Sequence, residues 1–245
     1  MGIADKSQWY VHLSTVGRLT QTISDPRISS WNVGPHGFRG GREEIFALFE
    51  KGHPIICLQD LRIPDDKVEA VKSKLHALFP HYWIYISTAM INGAGSQDER
   101  GSHYKFTTLT ALDSHYFPSA THLSLHPRSS KGPKRGGARK LPAAGRSIAV
   151  TTKTKNGGNL HIMNLYQFTA NDGGQQDMVW KLIYAWIRRH PGERVILIGD
   201  MNGSIPGGQH NYTHPMEKSL VETDDRLAKF CANPKCTISS PMEFT

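Results

Sequence analysis

The sequence predicts an α/β fold, and three observations support this prediction. Residues 55–58 and 195–198 are short, continuously apolar runs, which is typical of strands that are buried on both faces of a sheet. Segments with the apolar spacing of amphipathic helices alternate with the predicted strands along the chain. Polar residues follow three of these strands directly, so one edge of a sheet is expected to carry several polar side chains.

The first half of the chain contains four predicted strands and two predicted helices. We interpret residues 1–26 as a polar leader and place the main domain at residues 27–245. One helix is expected at residues 42–51, and a second opens at Pro64 and ends before Pro80. The expected strands lie at residues 27–33, 55–58, 82–87 and 106–112.

The second half contains a predicted hairpin, a long helix and a further buried strand. Residues 147–151 and 159–166 form the expected hairpin, with the turn at residues 155–158. An amphipathic helix is expected at residues 175–189, and another helix at residues 224–231 after the buried strand. Residues 127–146 combine Gly, Pro, Lys and Arg, which is typical of a loop.

The positive charge of the protein is concentrated in one segment. The chain carries 29 Lys and Arg against 21 Asp and Glu, a formal net charge of +8. Between Asp113 and Asp172 there is no acidic residue, whereas nine residues are basic. Cations on a loop can follow a nucleic-acid backbone. We therefore expect nucleic acid to contact five residues of this loop: Lys131, Lys134, Arg135, Arg139 and Lys140.

The composition excludes several classes of protein. A hydrophobic content of 38% can build a core, which argues against a wholly disordered chain. No apolar run approaches the roughly 20 residues of a membrane helix, and the first residues lack the apolar region of a secretory signal. The three cysteines cannot all pair, and Cys57 lies in an apolar run. A reducing, intracellular location is therefore expected, with the nucleus as one option.

Three predicted strands end in polar residues that could lie close together. These residues are Asn32, Asp60 and the pair Asp200 and Asn202. Carboxylates and amides are hard oxygen ligands that suit Mg²⁺ or Mn²⁺ rather than zinc. A metal of this kind with few protein ligands usually acts on phosphate. For each residue alone, a turn cap or a helix cap is an alternative that stays open here.

A zinc site is a weaker alternative elsewhere in the chain. His210, His214, Cys231 and Cys236 have the composition of such a site. The two cysteines are spaced more widely than in most zinc sites, and the Pro and Gly around the histidines are typical of a loop. We favour the loop interpretation.

Four motifs, taken in order, resemble those of the endonuclease/exonuclease/phosphatase superfamily. They occupy residues 27–33, 55–60, 163–166 and 195–202, and the last is an apolar strand that runs into Gly-Asp-x-Asn. Residues 164–170 and 200–220 are more similar to the endonuclease domains of non-LTR retroelements than to repair nucleases or phosphatases. The resemblance implies a four-layer α/β sandwich, in which two packed β-sheets are flanked by helices.

The resemblance also implies a role for each polar residue at a strand end. Asp60 and Asn32 would bind Mg²⁺ or Mn²⁺, and Asp200 would orient or deprotonate the attacking water. Asn202 would hydrogen-bond the phosphate in the transition state. Two further residues would contact the substrate: Asn164 and Arg62.

The sequence departs from the family in three respects. Asp60 stands where the family has Glu, so its carboxylate is one methylene shorter. Up to Thr245 the sequence contains neither the final Asp-bearing strand nor the Ser-Asp-His motif of the family. We therefore expect a C-terminally truncated domain that is inactive or weakly active. The catalytic tyrosine of the family has no clear counterpart, and Tyr104 and Tyr116 are the candidates.

The leading hypothesis is a Mg²⁺-dependent endonuclease that nicks DNA. One alternative is a non-catalytic remnant that binds nucleic acid through the basic loop. Another is a phosphatase-type member of the same superfamily, and the basic loop argues mildly against it.

Overall fold

The computed structural model describes residues 9–13, 15–16, 28–34, 37–87, 96–97, 103–104, 107–123, 145–153, 158–168, 173–191, 193–201 and 236–239. The strands are β1 (Trp9–Leu13), β2 (Thr15–Val16), β3 (Ile28–Asn32), β4 (Ile55–Gln59), β5 (Tyr82–Ile86), β6 (Ser96–Gln97), β7 (His103–Tyr104), β8 (Leu109–Asp113), β9 (Ala120–Leu123), β10 (Ser147–Lys153), β11 (Asn159–Tyr166), β12 (Arg194–Asp200) and β13 (Cys236–Ser239). The helices are α1 (Gly37–Gly40), α2 (Arg42–Glu50), α3 (Val68–Leu78) and α4 (Gly173–Arg189).

The described strands form two mixed sheets and a small two-stranded ribbon. The six-stranded sheet has the order β13-β1-β12-β11-β10-β9, and the five-stranded sheet has the order β2-β3-β4-β8-β5. Strand β11 runs parallel to β12, and β3 runs parallel to β4. Because parallel neighbours end at the same edge of a sheet, the polar ends of these four strands come together in pairs.

The two sheets pack face to face, and helices cover both outer faces. One apolar cluster lies between the sheets, where Ile55 and Cys57 of β4 meet Ile162 of β11 and Ile198 of β12. A second cluster packs α4 against the outer face of the six-stranded sheet. A third packs α2 and α3 against the five-stranded sheet. The predicted four-layer α/β sandwich is therefore confirmed. No helix within the described residues is long and apolar enough to cross a membrane.

Four strands change from apolar to polar along the face that lies between the sheets. In β11, Leu160 and Ile162 belong to the apolar layer between the sheets. Side chains on one face of a strand recur every second residue, so Asn164 continues this face. Strands β4 and β12 follow the same pattern, and in β3 the change comes earlier, at Ser30. The polar residues at the C-terminal part of the four faces include Asn32 in β3, Gln59 in β4, Asn164 in β11 and Asp200 in β12.

Most predicted elements within the described residues agree with the structure. The helix predicted at residues 42–51 is α2, and the hairpin predicted around residues 155–158 is the antiparallel pair β10–β11. The second predicted helix begins later than expected, because a 3₁₀ turn at Asp65–Lys67 precedes α3. The helix predicted at residues 224–231 and most of the predicted loop at residues 127–146 lie outside the described residues.

The predicted leader at residues 1–26 needs a correction. Strand β1 lies inside the six-stranded sheet between β12 and β13, and β2 pairs with β3 in the other sheet. Residues 9–13 read Trp-Tyr-Val-His-Leu, and aromatic and β-branched residues favour strands. The backbone of β12 also needs hydrogen-bonding partners on the side away from β11. Strand β1 supplies them, so at least residues 9–13 and 15–16 are part of the domain.

A polar bridge joins the two sheets where the apolar layer between them ends. The side chain of Gln59 donates from Nε2 to Oδ1 of Asn164 at 2.7 Å. Asn164 Nδ2 donates in turn to the carbonyl oxygens of Leu58 at 3.2 Å and Leu109 at 2.7 Å. Asn164 is fully buried, and a buried amide is tolerated only when its hydrogen bonds are made. This bridge therefore holds β4, β8 and β11 in register across the sheets.

We predict that Asn164→Ala destabilises the protein more than Asn159→Ala does. Asn164→Ala leaves buried partners without hydrogen bonds, so the free energy of unfolding should fall by about 2–4 kcal/mol. Asn159 bonds to the partly or fully exposed groups of Glu193 and Lys153, and its loss should cost less than about 1 kcal/mol. Urea unfolding followed by circular dichroism measures both values, and equal losses would contradict the bridge.

Strands β11 and β12 leave no room for a side chain at the glycine that precedes Asp200. Gly199 has a φ of 138°, and a Cβ at this position would lie 1.9 Å from the carbonyl oxygen of Leu165. No side chain fits at this distance, so glycine is required here for steric reasons as well as for its backbone angle. The pairing of Gly199 with Leu165 places Asp200, the last residue of β12, opposite Tyr166.

We predict that Gly199→Ala lowers the free energy of unfolding by about 2–4 kcal/mol, because it adds a backbone clash to a strained φ. Gly52→Ala is the matched control, since Gly52 has a φ of 71° with no atom within 4 Å of the added Cβ. The control should lose only about 1 kcal/mol. Equal losses of unfolding free energy in the two variants, measured by urea unfolding, would show that the clash with Leu165 does not contribute to the effect of Gly199→Ala.

Candidate active site

A hydrogen bond between Asn32 and Asp200 joins the ends of β3 and β12. Asn32 Nδ2 donates to Asp200 Oδ2 at 2.6 Å, and both side chains are buried. Asn32 Oδ1 accepts a hydrogen bond from the backbone N–H of Gly34 at 2.9 Å, which fixes the orientation of the amide. The structure therefore brings together two residues that are 168 positions apart in the sequence.

Asp60 follows β4 directly and forms an ion pair with Arg62. Arg62 donates from Nε to Oδ1 and from Nη2 to Oδ2 of Asp60, each at 3.0 Å. Burial raises the pKa of the Asp60 carboxyl, while the Arg62 hydrogen bonds and the charges of Arg62 and Arg146 oppose this shift. Both oxygens of this carboxylate are thus bonded to the guanidinium, whereas the predicted contact of Arg62 with the substrate stays a prediction.

Tyr166 ends β11 next to Asp200, and it is not among the residues that the sequence predicts for the site. Its backbone pairs with Asp200 in the register of β11 and β12. Burial raises the pKa of the Tyr166 phenol, and the charges of Asp60 and Asp200 raise it further. Asn32 pairs with Gln59, the residue before Asp60, and bonds to Asp200, so Asp60, Asp200 and Tyr166 lie at the same end of the sandwich. The phenol stays protonated and can donate a hydrogen bond there.

Arg146 holds the end of β11 next to this site. Its guanidinium lies 4.7 Å from the centre of the Tyr166 ring and 4.3 Å from the centre of the Phe168 ring. Arg146 Nη1 also donates to the carbonyl oxygens of Tyr166 at 3.4 Å and Gln167 at 3.1 Å. Such contacts between a cation and aromatic rings are attractive. Arg146 therefore adds positive charge to the site and restrains the Tyr166 ring.

Asn164 lies in the interior rather than at a surface. All three of its described side-chain hydrogen bonds go to β4 and β8, and the side chain is fully buried. Gln59, its partner, is also fully buried, and Gln59 Oε1 has no partner among the described residues. This geometry gives Asn164 a structural role at the floor of the site. Its predicted contact with the substrate stays a prediction.

Several predicted site residues lie outside the described residues. They include Asn202, the five basic residues of the loop, and the histidines of the zinc alternative. Of the two tyrosine candidates, Tyr116 follows the C-terminal end of β8, and that end lies beside the N-terminal end of β4. Tyr116 is therefore at the opposite end of the sandwich from Asp60. The side chain of Tyr104 in β7 is not described.

The donor atoms at this site fit a divalent cation with few protein ligands. Asp60 and Asp200 supply carboxylate oxygens, which Mg²⁺ and Mn²⁺ prefer. Within the described ranges, no group of three His, Cys, Asp or Glu side chains is close enough to hold a metal ion. A metal here would thus depend on two carboxylates, with the remaining positions left to water or phosphate oxygens. Asn32 turns its amide to Asp200 and Gly34, so its role as a ligand stays a prediction.

A period-two pattern in the sequence could have identified Tyr166. Leu160, Ile162, Asn164 and Tyr166 share one face of β11, and the first two belong to the layer between the sheets. Tyr166 is the next residue on this face after Asn164. Arg146 has no comparable signal, because its position depends on the antiparallel pairing of β10 with β11.

Comparison with known proteins identifies the fold. No protein-family model matches the sequence, and neither does any curated protein. The structure is similar to an AP endonuclease from Leishmania major, with a TM-score of 0.55 and 13% sequence identity over 85% of this chain and 65% of that one. It is also similar to an AP endonuclease from Archaeoglobus fulgidus, with a TM-score of 0.50 and 16% identity over 82% of this chain and 66% of that one.

This chain spans just under two thirds of the length of both of these structures. At such low identity the similarity concerns the fold, and it agrees with the two mixed sheets and flanking helices described above. The chain has the fold of these AP endonucleases, which agrees with the resemblance of its motifs to the endonuclease/exonuclease/phosphatase superfamily.

Proposed function

We propose that the protein hydrolyses phosphodiester bonds in DNA with the help of Mg²⁺ or Mn²⁺, as a nicking endonuclease of the non-LTR retroelement type. The observation that carries the proposal is the placement of Asp60, Asp200 and Tyr166 at one end of the sandwich, which follows from the strand pairing and from the Asn32–Asp200 hydrogen bond. The basic loop supports a nucleic-acid substrate, and the motifs at residues 164–170 and 200–220 support the retroelement type.

Each residue of the candidate site would have its own role in the reaction. Asp200, held by Asn32, would orient the attacking water or accept its proton. Tyr166, which remains protonated, would donate a hydrogen bond to a phosphate oxygen as negative charge develops there. The bound metal ion would supply Lewis-acid stabilisation of the phosphate charge. Asp60 is the carboxylate that would hold this ion, and Asn202 would bond to the phosphate.

We predict slow nicking of supercoiled plasmid that requires Mg²⁺ or Mn²⁺ and stops on addition of EDTA. Asp200→Ala should lower the nicking rate by roughly 100-fold or more, because it removes the group that prepares the water. Asp177→Ala, which removes an exposed carboxylate on α4, is the matched control and should not change the rate. Nicking that needs no divalent cation, or that continues unchanged in Asp200→Ala, would contradict the proposed activity.

We also predict that DNA binding depends on the basic loop and on salt. Replacing Lys131, Lys134, Arg135, Arg139 and Lys140 with Gln should weaken binding to duplex DNA by at least about tenfold at low salt. The slope of log affinity against log salt concentration should become shallower by roughly one unit for each phosphate that is no longer neutralised by a Lys or Arg side chain. Fluorescence anisotropy with a labelled duplex measures both quantities. An unchanged slope would show that these cations do not contact the DNA backbone.

A non-catalytic nucleic-acid-binding protein is the second candidate. The observation that favours it is the ion pair in which Arg62 bonds to both oxygens of Asp60. In this case DNA binding would survive both Asp60→Ala and Asp200→Ala, while no protein of the series would nick plasmid. Combining the binding and nicking measurements therefore separates the two candidates.

A further inference from the structure

Asp60 and Arg62 share an unusual backbone conformation. Their φ angles are 53° and 52°, in the left-handed region that residues other than glycine rarely adopt. A strand that continued through Asp60 would direct its side chain towards the helices that cover β4. The left-handed angles end the strand instead and bring both side chains to the same side of the loop, where they form their ion pair.

The surrounding structure holds this strained loop in place. Leu61, between the two residues, is fully buried, and its backbone N–H donates to the carbonyl oxygen of Thr107 at 3.0 Å. The carbonyl oxygen of Leu61 accepts a hydrogen bond from the backbone N–H of Phe38 at 2.6 Å. A Cβ at Gly37 would lie 2.8 Å from this same oxygen. Strain that neighbours maintain in this way is typical of functional sites.

The ion pair is asymmetric in its access to solvent. The Asp60 side chain is 3% exposed, whereas the Arg62 side chain is 23% exposed. Both oxygens of the carboxylate bond to the guanidinium, in the two-pronged geometry that arginine forms best. A divalent cation that approached Asp60 would meet this guanidinium and the nearby charge of Arg146. The cation and Arg62 therefore compete for one buried carboxylate.

We propose that Arg62 is a counter-ion which a divalent cation must displace from Asp60, and that the displaced guanidinium then binds a phosphate oxygen. This inference rests on the proposed function and specifies how its two ligands are linked. The metal ion takes Asp60, and the phosphate takes Arg62, so each ligand removes the obstacle to the other. Binding of a divalent cation and binding of phosphate are consequently cooperative, and the coupling depends on Arg62.

The test measures Mn²⁺ binding directly, through the electron paramagnetic resonance signal of unbound Mn²⁺. Four proteins are compared: the unmodified chain, Arg62→Gln, Asp60→Asn and the surface control Arg188→Gln. Without DNA, Arg62→Gln should bind Mn²⁺ roughly tenfold more tightly than the unmodified chain, because the competing charge is gone. Asp60→Asn should lose this binding, and the surface control should match the unmodified chain.

The second part of the experiment adds a short DNA duplex. Because the duplex itself binds Mn²⁺, the amount of Mn²⁺ bound in a sample of the duplex with Asp60→Asn is subtracted as background. The DNA should raise the Mn²⁺ affinity of the unmodified chain at least about fivefold and leave that of Arg62→Gln unchanged. Thermal unfolding checks that each variant is folded, and Arg62→Gly, which tolerates the left-handed angle, replaces Arg62→Gln if that variant unfolds.

The outcomes separate this inference from the proposed function. Mn²⁺ binding that needs Asp60 but is equal or weaker in Arg62→Gln would overturn the competition and leave the proposed function intact. Equal enhancement by DNA in the unmodified chain and in Arg62→Gln would overturn the coupling. Mn²⁺ binding that is the same in the unmodified chain and in Asp60→Asn would overturn both, because the metal site itself would then be wrong.

Discussion

The rest of the structure depends on how the layer between the two sheets ends. Along β3, β4, β11 and β12 this layer is apolar at the start of each strand and becomes polar towards the C-terminal end. Buried polar groups must find hydrogen-bonding partners, and here the partners come from the opposite sheet. Gln59 bonds to Asn164, and Asn32 bonds to Asp200. These two bridges align the sheets and thereby decide where every group of the candidate site lies.

Nearby positive charges and hydrogen bonds explain why two carboxylates can be buried at this end of the sandwich. Asp60 and Asp200 are buried carboxylates, and a buried charge is costly without compensation. Arg62 and Arg146 supply positive charge near Asp60, while the amide of Asn32 donates a hydrogen bond to Asp200. Burial and the two carboxylates raise the pKa of the Tyr166 phenol, so it stays neutral and can add a hydrogen-bond donor without adding charge. The same groups that make burial of the carboxylates tolerable are those suited to bind a phosphate.

Local sequence patterns predicted most of the longer strands and helices, but they predicted less well which strands pair with each other. The apolar runs at residues 55–58 and 195–198 lie in β4 and β12 because a run of this kind is stable only when both faces are covered. The predicted leader is wrong because β1 is a central strand only through its pairing with β12 and β13. The left-handed angles of Asp60 and Arg62 had no signal in residue type, since neither residue is glycine.

The sequence by itself determined the α/β class, most of the longer strands and helices in their order, and the polar residues at the strand ends. It could do so because strand and helix periodicities depend on neighbours that are close along the chain. Only the tertiary structure decided that Tyr166 and Arg146 join Asp60 and Asp200, and that Arg62 bonds to both oxygens of Asp60. These contacts depend on sheet packing, strand register and a strained loop, all of which are set by residues far apart in the chain.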